Sequence, residues 1–162
     1  NHAGFPGHAD AVQLLLWLSQ LREDRTSSSR PRLGASPPHQ PFQSLGRFTL
    51  HHLLGTGTYG AVFRATDTKL ERTVALKIAW PAVLMDAEAS RRFTEEPVTI
   101  SKLEHPGIVR VHDAGTVEMV RYIAFEFIDG PTLAEWLGSQ DALSTRRAAE
   151  IMLDVSSAVA FA

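Results

Sequence analysis

The chain has 162 residues, of which 44% are hydrophobic and 21% are charged, enough for one ordinary domain with an apolar core. Its formal net charge of −2 argues against nucleic-acid binding through bulk electrostatics. The absence of cysteine excludes disulfides, thiolate metal sites and cysteine nucleophiles, and it fits a reducing, cytoplasmic location. The longest apolar run, at 11–18, is far shorter than the roughly 20 residues that span a bilayer. No membrane segment or signal peptide is predicted.

Residues 1–22 are predicted to form a short N-terminal helical segment, with an amphipathic helix at 9–22 and Asp10 as its N-cap. Residues 23–45 are rich in Ser, Pro, Arg and Gln and contain few large apolar residues, which predicts a flexible linker. The apolar side of the helix is expected to consist of Val12, Leu15, Leu16 and Leu18.

The composition changes at residue 46, and residues 46–162 are predicted to form a unit that mixes strands and helices. Alternating apolar and polar residues predict strands at 47–55, 60–67, 72–79, 109–116 and 121–127. Helical spacing predicts helices at about 86–103, 131–139 and 144–162. The last of these has no stop signal, so we expect a helix that is cut before its end.

A GxGxxG pattern stands within residues 54–67, LGTGTYGAVFRATD. A P-loop would need Lys and Ser or Thr where Ala61 and Val62 stand, so that class of site is excluded. A dinucleotide-binding fold would need a helix after the third glycine, whereas the alternating run that follows predicts a strand. The glycines, which would allow φ values and close backbone approach that a Cβ blocks, are therefore expected at the tip of a β-hairpin. They are Gly55, Gly57 and Gly60.

A glycine-tipped hairpin followed by a strand with Val-Ala-Leu-Lys at 74–77 resembles the nucleotide clamp of protein kinases. The stretch FTEEPVTISKLEHPGIVRVHDAG resembles the family's helix C and the loop after it, and YIAFEFIDGPTLAEWL resembles strand five, the hinge and helix D. The amino-acid sequence of these stretches is most similar to that of bacterial Ser/Thr kinases of eukaryotic type. The resemblance implies an α+β fold: an N-lobe at 46–127 with a five-stranded antiparallel sheet and helix C, then the hinge, helix D and a truncated helix E at 128–162.

The same resemblance assigns roles to single residues. Lys77 would neutralise the α- and β-phosphates of ATP. A carboxylate of helix C would orient Lys77, and it would be Glu96 or, one position away, Glu95. Phe125 falls at the gatekeeper position, and backbone groups of Glu126 and Ile128 would hydrogen-bond the adenine. The nucleotide contacts implied are Leu54, Gly55, Thr56, Gly57, Thr58, Tyr59, Gly60, Val62, Ala75, Lys77, Phe125, Glu126 and Ile128.

Pro97 departs from the family's pattern. A proline inside a helix removes a hydrogen bond, clashes with the preceding turn and costs about 3 kcal/mol. Helix C is therefore expected to be kinked or to begin afresh at Pro97. Either outcome weakens the case for an ion pair between Lys77 and Glu96.

No His-Arg-Asp or Asp-Phe-Gly sequence, the motifs that carry the catalytic base and a Mg²⁺ ligand, occurs in the chain. We therefore expect Mg²⁺ to be held by residues outside this chain, and the chain by itself to be inactive. The parent protein is interpreted as a Ser/Thr kinase acting on protein substrates. A membrane anchor in segments outside this chain is compatible with that interpretation. The alternative, favoured by Pro97, is a pseudokinase or nucleotide-binding scaffold. None of the seven histidines is predicted to be a metal ligand, and His105 is expected to shape the turn before Pro106.

Overall fold

The computed structural model describes residues 7–27, 43–101, 103–140 and 142–162. Most of the predicted linker, residues 28–42, lies outside the described part of the chain. In chain order the elements are α1 (Gly7–Ser27), β1 (Ser44–Leu45), β2 (Phe48–Thr56), β3 (Gly60–Asp67), β4 (Arg72–Ala79), α2 (Pro81–Met85), α3 (Ala87–Ile100), β5 (Val111–Val117), β6 (Val120–Glu126), α4 (Leu133–Gly138) and α5 (Thr145–Phe161).

The strands form one antiparallel sheet in the order β1-β2-β3-β4-β6-β5. This sheet has six strands rather than the five expected, because β1 adds a short edge through the pairs Ser44↔Thr49 and Leu45↔Phe48. Leu45 is only 1% exposed. Residues 44 and 45, which the composition placed in a linker, therefore belong to the sheet.

One face of the sheet forms the core. Six residues of β3 and β4 on this face are fully buried, and they are Ala61, Phe63, Ala65, Val74, Leu76 and Ile78. The rings of Phe48 on β2 and Tyr122 on β6 lie 4.9 Å apart in an edge-to-face arrangement. In a flat sheet these strands would be about 14 Å apart, since β3 and β4 separate them. The sheet must therefore curl around its core face.

Helix α1 packs on this core. Leu14 and Leu18 are fully buried, Trp17 is 5% exposed, and the Trp17 ring lies 6.0 Å from that of Phe63. The helix runs from Gly7 to Ser27, so it extends five residues beyond the predicted end at 22.

The predicted apolar side of α1 is wrong at two positions. Val12 is 51% exposed and Leu16 is 56% exposed. Residues 14–18 are all apolar, so the sequence admits more than one apolar stripe on this helix. The packing of Trp17 against Phe63 selects the stripe that contains Leu14 and Leu18.

A polar network joins the residue before β2 and the last residue of β3 to side chains of β5 and β6. The Arg47 guanidinium forms an ion pair with the Asp67 carboxylate at 3.0 Å and donates a hydrogen bond to the Asp113 carboxylate at 2.7 Å. The Tyr122 hydroxyl donates to Asp113 at 2.8 Å. Asp67 is fully buried, and its carboxylate also accepts the amides of Lys69 and Leu70 in the β3–β4 turn. A cation and two amides contact one oxygen of this buried carboxylate, Oδ1, whereas the buried Oδ2 has no hydrogen-bond partner.

Helix α3 occupies the place of the expected helix C. The Asp86 carboxylate caps it by accepting the amides of Glu88 and Ala89, both at 2.9 Å. The helix continues from Ala87 to Ile100 and so passes through Pro97. The prediction that a helix begins afresh at Pro97 is therefore wrong.

The last two helices begin at polar caps. Thr132 and Glu135 form a capping box that starts α4 at Leu133, two residues after the predicted start at 131. Ser144 accepts the Arg147 amide and starts α5. Helix α5 contacts the loop after α3, where the His105 ring lies 5.3 Å from that of Phe161.

His105 shapes the turn that contains Pro106, one position later than the turn predicted for it. The Nδ1 atom of His105 accepts the Gly107 amide at 3.0 Å, and the His105 carbonyl accepts the Ile108 amide at 3.0 Å. The Nε2 atom lies 3.3 Å from the Ser157 hydroxyl on α5. The histidine thus joins the turn to α5.

Candidate functional site

The second face of the sheet, here called the cleft face, carries the single lysine of the site. The strand register places Val62 opposite Lys77 and Lys77 opposite Ile123, so these three share one row across β3, β4 and β6. The Lys77 ammonium lies 5.6 Å from the centre of the Phe93 ring on α3. A lysine is therefore held between the sheet and this helix, with an aromatic face beside its charge.

A second row runs parallel to the first. Arg64, Ala75 and Phe125 are cross-strand neighbours, and all three are half-buried. The Arg64 guanidinium lies 5.3 Å from the centre of the Phe127 ring, just after β6. The small Ala75 thus stands between a cation and a large aromatic residue, which leaves space above it on the cleft face.

The glycine segment forms the predicted hairpin between β2 and β3. The Gly57 amide donates to the Gly60 carbonyl at 2.8 Å, with Thr58 and Tyr59 between them at the tip. None of the three glycines adopts a positive φ. This conformation therefore does not require glycine for its φ values at these three positions.

Close approach distinguishes the three glycines. A Cβ on Gly60 would clash with the backbone carbonyl of Ile78 on β4, so Gly60 is required by strand packing. A Cβ on Gly55 would meet nothing within 4 Å, and one on Gly57 would meet only the Gly60 carbonyl oxygen at 3.9 Å. The space beside Gly55 and Gly57 is therefore open.

The predicted contact residues lie on β2, the hairpin tip, β3, β4 and the end of β6. Leu54, Gly55 and Thr56 are on β2, Gly57, Thr58 and Tyr59 in the connection, Gly60 and Val62 on β3, Ala75 and Lys77 on β4, Phe125 and Glu126 on β6, and Ile128 just after it. At the far end the Glu126 amide donates to the Arg110 carbonyl at 2.9 Å. Ile128 is 65% exposed. The chain at the end of β6 is thus fixed at Glu126 and exposed two residues later.

Helix α3 carries the two candidate carboxylates, Glu95 and Glu96. The Glu95 carboxylate lies 2.7 Å from the Arg91 guanidinium, one turn back along the helix, and Glu95 is 58% exposed. The side chain of Glu96 lies outside the part of the chain that the structure describes. A pair between Lys77 and Glu96 therefore stays a prediction.

Two residues at the site were missed by the reading of the sequence. Arg64 could have been found, because it has the same strand parity as Val62 and so faces the same side. Trp80 directly follows β4, and its indole N–H donates to the Gly57 carbonyl at 3.0 Å. No sequence signal indicates that contact, since it joins residues 23 positions apart.

Comparison with known proteins agrees with this geometry. Residues 48–162 match the family model described as protein kinase domain. The chain is 36% identical over 117 residues to the serine/threonine-protein kinase PrkC of Bacillus subtilis, covering 72% of this chain and 18% of that protein. It is 36% identical over 112 residues to PknA of Mycobacterium tuberculosis, covering 66% of this chain and 26% of that protein.

A solved structure is similar as well. The crystal structure of the Mycobacterium tuberculosis PknI kinase domain aligns with a TM-score of 0.59 and 27% identity, covering 71% of this chain and 47% of that chain. The chain therefore belongs to the protein kinase domain family. The predicted α+β architecture of a kinase N-lobe, with its curled antiparallel sheet and helices, is confirmed.

In ranges 7–27, 43–101, 103–140 and 142–162, no helix is long and apolar enough to cross a bilayer. Across the same ranges, His, Asp and Glu side chains do not gather in threes at a spacing that could hold a metal ion.

Proposed function

We propose that residues 46–162 form the ATP-binding part of a protein serine/threonine kinase. Two relatives are named serine/threonine-protein kinases, and the chain spans 18% and 26% of their lengths. Transfer of the ATP γ-phosphate to protein hydroxyls is accordingly proposed for the whole protein. We place the domain in the cytoplasm, because its substrate would be ATP.

The observation that carries the proposal is the row Val62–Lys77–Ile123 on the cleft face, next to the glycine hairpin. A compact ammonium at this position would interact with the α- and β-phosphates of ATP. The open space beside Gly55 and Gly57 would admit the phosphates close to the backbone. The Lys77 ammonium and the backbone of the glycine hairpin would then face the phosphates together.

The adenine ring would lie over the second row. Ala75 is small enough to leave room for a planar ring, with Val62 and Leu54 on one side and Phe125 at the back. The carbonyl of Glu126 and the amide of Ile128 would hydrogen-bond the adenine edge. Backbone contacts of this kind depend on position and tolerate many side chains.

Glu96 is the better candidate partner for Lys77. Position 96 is three residues after Phe93, whose ring lies 5.6 Å from the Lys77 ammonium, and positions three apart share a helix face. Glu95 is two residues from Phe93, which turns it roughly 200° away, and it pairs with Arg91. Mg²⁺ would arrive with ATP and offset the phosphate charge, and its protein ligands would lie outside this chain.

The test is nucleotide binding by two lysine variants. Lys77→Met should weaken binding of a non-hydrolysable ATP analogue with Mg²⁺ at least tenfold in calorimetry, because the phosphates lose their cation. Lys69→Met is the matched control, since Lys69 lies in the exposed β3–β4 turn. Equal affinities for the two variants would contradict the proposed site.

We also propose that this chain alone does not transfer phosphate, because His-Arg-Asp and Asp-Phe-Gly are absent from its sequence. Turnover of labelled ATP by the purified chain would contradict this. The alternative, a pseudokinase or nucleotide-binding scaffold, depends on Pro97, which lies inside α3.

A further inference from the structure

Trp80 lies at the junction between β4 and α2 and is only 2% exposed. Its indole N–H donates to the Gly57 carbonyl at 3.0 Å. Its backbone N–H donates to the Tyr59 carbonyl at 3.0 Å. One residue outside the glycine hairpin thus supplies two hydrogen bonds to the hairpin tip.

These bonds act on a glycine-containing part of the chain, where the backbone has high conformational freedom before it is ordered. Glycine loses more conformational entropy on ordering than any other residue, so a glycine-rich tip is costly to hold in one conformation. The Gly57 amide already donates to the Gly60 carbonyl at 2.8 Å, and the indole satisfies the carbonyl of the same residue. Both backbone groups of Gly57 are therefore fixed.

The Tyr59 side chain adds a contact to α3. It lines a cavity of about 260 Å³ together with Asp86, Glu88 and Arg92 at the start of that helix. The pKa of the Arg92 guanidinium is raised, first by its hydrogen bond with Glu88 and then by one with Tyr59. The hairpin tip is thus held at the β4–α2 junction and also meets α3.

We propose that Trp80 is a positioning residue for the nucleotide: its indole N–H holds the glycine hairpin in the conformation that receives the phosphates. The inference rests on the proposed ATP site, because that site identifies the ligand as a nucleotide. Holding the hairpin in advance reduces the entropy lost when a ligand binds. A buried indole N–H needs an acceptor, and here the acceptor is the carbonyl of Gly57 at the hairpin tip.

Hydrogen exchange in the whole 162-residue chain tests this without nucleotide. Trp80→Phe keeps an aromatic ring and removes the N–H donor. The Gly57 amide should then exchange about fivefold faster, as expected for the loss of one ordinary hydrogen bond that opposes local opening. Trp136→Phe is the control, because Trp136 lies on α4 away from the hairpin, and it should leave this amide unchanged.

The second measurement is affinity for a non-hydrolysable ATP analogue with Mg²⁺. Trp80→Phe should bind it about fivefold more weakly than Trp136→Phe does, because the hairpin must be ordered on binding. Faster exchange with unchanged affinity would overturn the positioning role. Unchanged exchange at Gly57 would overturn the inference altogether. A chain that binds no nucleotide would refute the proposed function, whereas the exchange rates would still decide whether Trp80 holds the hairpin.

Because Trp80 is buried, its replacement by Phe leaves a cavity and could unfold the chain. Replacement by benzothienylalanine retains the shape of the indole and substitutes sulfur for the N–H. The same rise in Gly57 exchange is expected from this variant. An exchange rate equal to that of the unsubstituted chain would show that only the shape of Trp80 matters, and the inference would fall.

Discussion

Phe63 and Val62 are neighbours on β3, yet they belong to regions of the molecule with opposite properties. Phe63 points to the core face, where it is fully buried against Trp17 of α1. Val62 points to the cleft face, is half-buried and shares a row with Lys77. The core face is completed by the chain's own residues. The cleft face carries a cation and open space, so a ligand can add to it.

The comparison predicts that substitutions on the two faces separate stability from binding. Phe63→Ala should lower the free energy of unfolding by about 3–5 kcal/mol, because it removes a buried ring and leaves a cavity. Val62→Ala should lower it by about 1 kcal/mol or less, since Val62 is only half-buried. Urea denaturation followed by circular dichroism would measure both values.

Nucleotide affinity gives a second comparison, because a loss of affinity need not accompany a loss of stability. Val62→Ala should reduce affinity while the chain remains folded, because Val62 is proposed to contact the adenine. If Val62→Ala destabilised the chain as much as Phe63→Ala did, the division into two faces would be wrong.

The glycines allow the comparison to be sharpened within one hairpin. Gly60→Ala should cost about 2–3 kcal/mol of stability, because the new methyl group would clash with the Ile78 carbonyl and the backbone would have to shift. Gly55→Ala should leave stability nearly unchanged and weaken nucleotide binding, since its methyl group would enter the open space. Thermal unfolding and calorimetric titration of both variants would measure this contrast. Loss of stability in Gly55→Ala with retained affinity would contradict it.

The polar network at the core face gives an effect that depends on pH. Burial and the hydrogen bond to Asp113 raise the pKa of Tyr122 to about 12. The folded chain therefore keeps the phenol proton at pH values where the unfolded chain, with a pKa of about 10, loses it. The stability from this tyrosine is present below pH 10 and is lost as the pH rises towards 12.

Tyr122→Phe should remove that dependence. Between pH 10 and 12 the unfolding free energy of the unsubstituted chain should fall more steeply than that of the variant, by at most about 1.4 kcal/mol per pH unit. Urea denaturation of the two chains at a series of pH values would measure the slopes. Equal slopes would show that the Tyr122 phenol is no better protected from water than an exposed one.

The sequence predicted the strands near the site well. Residues 60–67 and 72–79 coincide with β3 and β4, because strict alternation marks a strand with one buried face and the intervening polar residues mark a turn. Alternation also placed Lys77 and Ala75 on the same side. The family resemblance, and not the local pattern, supplied what that side binds.

Other features depend on contacts that no local pattern records. The two residues of β1 are too few to show alternation, and the apolar run at 14–18 leaves the buried stripe of α1 undecided. The contact between Trp80 and Gly57 appears only when β4 and the hairpin are brought together. The pattern GxGxxG likewise gives three equivalent glycines, whereas tertiary packing makes only Gly60 indispensable for strand approach.

The most direct test of the two-face account is a methyl NMR titration of the chain with MgATP. We predict that the methyl signals of Val62 and Ala75 on the cleft face shift and saturate, because the adenine ring would lie beside them. The signals of Ala65 and Leu76, on the core face of the same strands, should stay in place. Shifts of equal size on both faces, or no shift at millimolar MgATP, would contradict the assignment of the cleft face as the nucleotide site.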